Sequence, residues 1–156
     1  MAKRATTFLI LPLILWGAAS VPSRTPATAP ATAPATSPAP SRSTADGVYN
    51  AEQLARGQKT YASYCARCHG DTLGGNDDAV ALVGAEFLKD WTGQPVGKLV
   101  EYTRTQMPAD GPGKLTRKEC TDIVAYLLNA NEFPTGKAEL SSDLKDLNAI
   151  LIQVKK

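Results

Sequence analysis

Within 156 residues, the pentapeptide Cys65-Ala66-Arg67-Cys68-His69 gathers two of the three cysteines and the one histidine. Few local patterns restrict a fold so strongly, because it dictates which groups must share one face of a helical turn. Positions i, i+3 and i+4 project together, so Cys65, Cys68 and His69 address the same flat surface. This is the attachment spacing of a c-type haem, in which two thiols form thioethers with the vinyl groups and the imidazole reaches iron from the proximal side. Other uses of the spacing need partners that are scarce here. A structural zinc site takes four ligands in tetrahedral array, and beyond the pentapeptide only Cys120 remains among the cysteines. A redox dithiol belongs beside a βαβ pattern, which the flanking sequence does not supply.

An iron bound by His69 has a sixth position to fill. The chain has two methionines: Met1 sits in a targeting segment, and Met107 follows His69 by 38 residues, with Pro108 directly after it. A methionine by itself reads as a filler of core gaps; beside a haem motif it reads as the distal ligand. Pro108 restricts the backbone and stops its segment from continuing as regular helix, which suits a ligand presented from a loop. Ligation by His and Met raises the reduction potential relative to two histidines and leaves no open site for oxygen or peroxide. That favours electron transfer over catalysis.

Three separated pieces resemble the class I c-type cytochromes: Gly57-Gln58-Lys59-Thr60-Tyr61 ahead of the pentapeptide and Gly70, then Met107-Pro108, then Asp122-Ile123-Val124-Ala125-Tyr126-Leu127-Leu128. The likeness covers residues 47–133. It implies that Gly57 and Tyr61 on a first helix cross Tyr126 on a last one, and that haem attachment is completed outside the cytoplasmic membrane. The stretch from Trp91 to Pro108 and the run Asn131-Glu132-Phe133-Pro134 also look similar to monohaem cytochromes that serve periplasmic quinoprotein dehydrogenases.

The amino-terminal part concerns delivery. Lys3 and Arg4 precede an apolar run from Phe8 to Trp16, and Gly17, Ala18, Ala19 and Ser20 follow. This is the order of a secretory signal, and the run is far shorter than the roughly 20 residues of a membrane-spanning helix. Residues 1–21 are therefore expected to be a signal peptide cleaved between Ala19 and Ser23, with an uncleaved membrane anchor as the alternative. Residues 22–45, with prolines at 22, 26, 30, 34, 38 and 40, read as an extended linker unable to bury a core. Beyond position 45 lie all fifteen acidic residues and thirteen basic ones, a formal charge of −2. There is no basic stripe for nucleic acid.

Residues 46–135 are expected to form the cytochrome domain, and their periodicity is helical. Asn50 reads as an N-cap with Gln53 at N3 and Tyr49 and Leu54 as a hydrophobic staple, starting a helix from Ala51 to Cys65. Thr116 and Glu119 form a capping box, with Leu115 and Cys120 as the staple, ahead of core spacing at Ile123, Val124, Leu127 and Leu128. Pro95 suits the first position of a helix whose apolar stripe is Val96, Leu99, Val100 and Thr103. No alternating strand pattern stands out. The predicted fold is all-α, three main helices around one covalently bound haem.

Several residues have two readings. Trp91 is either a core aromatic or a donor to a haem propionate, a role the family gives to an aromatic in this region. Arg104 reads as a solvated helix charge in preference to a propionate partner. Cys120, left without a partner, reads as a buried thiol. The extension 136–156 carries Leu144, Leu147, Ile150 and Leu151 at helical spacing, and either packs back on the domain or docks on a partner. Together these features predict a periplasmic single-electron carrier with one haem c per chain, serving redox partner proteins such as a dehydrogenase, an oxidase or another cytochrome. A haem c subunit of a dehydrogenase or oxidase complex is the alternative. A peroxidase or sensor would need an open or displaceable sixth position.

Overall fold

The computed structural model describes residues 42–77 and 79–154. The signal segment 1–21 and linker residues 22–41 lie outside the described residues. Among the described residues, six α-helices follow in order: α1 (Ala51–Tyr64), α2 (Ala66–His69), α3 (Ala85–Trp91), α4 (Val96–Gln106), α5 (Arg117–Ala130) and α6 (Leu144–Asn148). The three longest, α1, α4 and α5, are those the sequence marks.

Local chemistry sets their starts. The Asn50 side chain accepts from the Gln53 amide at 2.9 Å, satisfying one of the donors that a helix start leaves free. At Thr116 the capping box is complete: Glu119 Oε2 accepts from the Thr116 amide at 2.8 Å, while Thr116 Oγ1 accepts from the Glu119 amide at 3.3 Å. Pro95 departs from expectation. It stands at the N-cap of α4 and not inside its first turn, with ψ at 141°. Its backbone is held extended by a bridge to Leu151, a contact that no local pattern announces.

The main packing is the crossing of α1 over α5, and Gly57 makes it possible. A Cβ built at Gly57 would lie 1.8 Å from the carbonyl oxygen of Asp122 on α5, so only hydrogen fits between the backbones. One turn on, the rings of Tyr61 and Tyr126 meet with centroids 5.3 Å apart. This is the crossing implied by the family resemblance. Beside it, the buried Asp122 carboxylate accepts from Gln53 Nε2 at 3.0 Å, Arg56 Nε at 2.9 Å and Lys118 Nζ at 3.3 Å. Burial pushes that carboxyl up, but the bonds from Arg56, Gln53 and Lys118 outweigh it and hold the group below its usual range.

The carboxy-terminal extension packs back on the domain. Leu140, Leu147, Ile150 and Ile152 are buried, each worth about 1.5–3 kcal/mol of apolar burial. The Gln53 amide clamps the extension by both ends, donating to the Leu140 carbonyl at 3.0 Å and accepting from its amide at 2.7 Å. Asn148 lies over Gly97 in the first turn of α4, where a Cβ would meet its side-chain oxygen.

The linker boundary also shifts. Two-residue strands β1 (Arg42–Ser43) and β2 (Ile150–Leu151) pair in parallel, with Arg42 opposite Ile150. Thr44 is wholly buried, and its hydroxyl accepts from the Gln153 amide at 3.0 Å. Residues 42–45, linker by composition, thus belong to the packed unit. Composition cannot foresee this, because their partners lie more than 100 residues away.

Candidate functional site

The pentapeptide begins where α1 ends. Cys65 serves as C-cap of α1 and leads into the short α2, closed by hydrogen bonds from the Cys68 and His69 amides to the Cys65 carbonyl at 3.1 and 2.9 Å. Tyr61, anchored in the helix crossing, donates its hydroxyl to the Gly70 carbonyl at 2.7 Å. The α1/α5 interface therefore fixes the turn that carries the two thiols and the imidazole. Gly70 leaves this turn with φ of +77°, a left-handed backbone that favours glycine.

His69 is buried, and its Nδ1 lies 2.8 Å from the carbonyl oxygen of Val80. A carbonyl can only accept, so Nδ1 carries a proton, and in the neutral imidazole that leaves the lone pair on Nε2. Such a second partner sets both tautomer and ring orientation. The loop supplying Val80 is tied down by Asn131 just beyond α5, which donates to the Leu82 carbonyl at 2.9 Å and accepts from the Gly84 amide at 3.0 Å. Sequence reading gave no role to Val80 or Asn131. For Val80 no signal exists, since a backbone carbonyl leaves no mark on residue type.

Cys65 is half-buried and Cys68 exposed, and both are free thiols. Burial, with Cys68 adding to it, pushes the Cys65 thiol up to about 11. Cys120 is wholly buried, and its thiol is likewise pushed up to about 11 by burial first and Glu119 second. Among the described residues, no three His, Cys, Asp or Glu side chains converge as a metal site.

Met107 is half-buried at the C-cap of α4, its backbone already extended at φ −124° and ψ 150°. Pro108 follows, and the helix stops as the sequence indicates. The pentapeptide and this loop are joined directly: Arg67 Nη2 meets Asp110 Oδ2 at 2.6 Å. Trp91 closes α3 in an aromatic cluster, 6.4 Å from Phe87 and 5.7 Å from Tyr102 between ring centroids. Arg104 is neither free nor isolated. Its guanidinium pairs with Glu101, which also receives Arg117.

Residues 52–127 match the family model of cytochrome c oxidase, cbb3-type, subunit III. This segment is a c-type cytochrome domain. The crystal structure of the sulfane dehydrogenase SoxCD from Paracoccus pantotrophus is similar at 21% identity and a TM-score of 0.46, over 64% of this chain. The chain spans about half of that one, 52% of its length. Among curated proteins nothing matches.

A c-type cytochrome domain implies a haem c and electron transfer through it. The residues present fit that group. Two free thiols and an imidazole stand on one turn, and the Val80 carbonyl takes up Nδ1 of His69, so that Nε2 is the nitrogen open to a metal.

Proposed function

We propose that this chain is an exported, periplasmic single-electron carrier with one haem c, attached through Cys65 and Cys68 and ligated by His69 and Met107. The bond from His69 Nδ1 to the Val80 carbonyl carries this reading, because it prepares the imidazole as an iron ligand on the same turn as the thiols. The haem supplies a one-electron couple. The chain's part is to hold the proximal nitrogen, to present the Met107 sulfur from the end of α4 and to keep substrates off the iron. Trp91, half-buried in its aromatic cluster, is assigned the indole N–H for a propionate.

Attachment is tested by denaturing electrophoresis with haem staining. Thioethers survive denaturation, so haem should remain on the polypeptide, and recovery of free haem would reject the covalent site. Cys68→Ala should leave one thioether at most. Optical spectra with and without carbon monoxide then separate a carrier, which does not bind it, from a peroxidase or sensor. Export is read from the mass and fractionation of the native protein: a soluble form beginning between Ser20 and Arg24 supports a periplasmic carrier, whereas an intact Lys3 to Trp16 in membranes supports an anchored one.

The name of the matched family, an oxidase subunit, favours a second reading in which the chain is the haem c subunit of a larger complex. Stable co-purification with a dehydrogenase or oxidase would support it over a freely diffusing carrier.

A further inference from the structure

The loop 107–116 begins at Met107 and ends where α5 starts, and its base is closed by a three-residue ion cluster. Glu101, on α4, accepts from Arg104 Nη2 at 2.8 Å and Arg104 Nε at 3.1 Å. Its Oε1 also accepts from Arg117 Nε at 2.8 Å. Arg104 belongs to the last turn of α4, and Arg117 is the first residue of α5. One carboxylate therefore joins the two ends of the loop. The backbone adds to the closure: the Gly113 amide donates to the Arg104 carbonyl at 3.1 Å.

We propose that Glu101 is a positioning residue for Met107, closing the base of the loop and so holding the thioether on the iron. The inference rests on the reading of Met107 as distal ligand. Glu101, Arg104 and Arg117 keep 26%, 34% and 39% of their side-chain surfaces exposed. The cluster is thus neither fully screened nor fully desolvated, and charge-assisted bonds of this geometry are the stronger kind. Its three members bridge the loop's two ends, whereas the exposed Arg67–Asp110 pair further along touches the loop at a single point.

Imidazole is the probe. It binds ferric iron only when the methionine is off, so its apparent affinity scales with the fraction of molecules in which the loop has opened. The full-length ferric holoprotein, Glu101→Gln, Arg117→Gln and the double variant are titrated, with Glu86→Gln on α3 as control. Haem content and denaturation midpoint are measured alongside. Glu101→Gln should bind imidazole roughly tenfold more tightly at unchanged haem content. Arg117→Gln should shift affinity in the same direction, and the double variant should add little to Glu101→Gln. Raising ionic strength should tighten imidazole binding to the natural protein and leave Glu101→Gln unaffected. Unchanged affinity in both single variants overturns the proposal, even if the denaturation midpoint falls. Should Glu101→Gln fail to accumulate, Arg117→Gln carries the test, because it leaves the pair within α4 intact. A natural protein without the thioether-to-iron absorption band would show that the Met107 reading has failed, and this proposal with it, before any variant is made.

Discussion

Replacing Gly57 with alanine sets two effects of opposite sign against each other. In an exposed helix interior, Gly→Ala stabilises by about 1 kcal/mol through backbone entropy and helix propensity. At Gly57 the added methyl would sit 1.8 Å from the Asp122 carbonyl oxygen and 2.6 Å from its carbon, where contact distances are about 3.5 Å. A backbone carbonyl inside α5 has no rotamer to escape into, so α1 and α5 must part by more than an ångström. Parting them strains the Tyr61–Tyr126 contact and the bonds of Gln53 and Arg56 to Asp122. A clash with rigid backbone belongs at the upper end of overpacking costs, about 3 kcal/mol, leaving a net loss of ~2 kcal/mol after the propensity gain. For a domain of this size that is a fall in Tm of about 10 °C. Thermal unfolding of the holoprotein, followed by far-ultraviolet circular dichroism, reads it. An unchanged or raised Tm would refute the reasoning, since it would mean that propensity governs the site and the helices are not in backbone contact.

Met107→Ala should abolish the thioether-to-iron band, lower the reduction potential and admit carbon monoxide, all visible in optical and voltammetric titrations; a high-spin natural protein would contradict this. Stability should fall on acidification. Bonds from Arg104 and then Arg117 hold Glu101 down at about 2, so its contribution is complete above its ordinary value of 4.5 and is lost as pH falls towards 2. Glu101→Gln should flatten that part of a denaturation series against pH. A chain starting at Arg42 behind a foreign signal should unfold with the full-length protein, while one starting at Gly47 should be less stable, because it loses the bonds of Arg42 to Ala149 and of Thr44 to Gln153.

What the amino-acid sequence decides here is whatever depends on short spacing. Two thiols and an imidazole within five residues share a turn whatever surrounds them, and the caps at Asn50 and Thr116 act within three residues, so that turn and the starts of α1 and α5 are legible at once. Gly57, Tyr61 and Tyr126 were readable only through resemblance to a family, since nothing local says that a glycine on one helix faces a carbonyl on another. The tertiary structure alone decides the rest. Val80 sets the tautomer of His69 through its backbone, which no side chain encodes. Arg104 pairs with Glu101 on its own helix, but the arrival of Arg117 depends on how α4 and α5 are placed. The same holds at the chain's ends, where residues 42–45 look like linker and the extension looks like either a dock or a strap. Their partners lie across the whole domain, and composition has no access to a contact between residues 44 and 153.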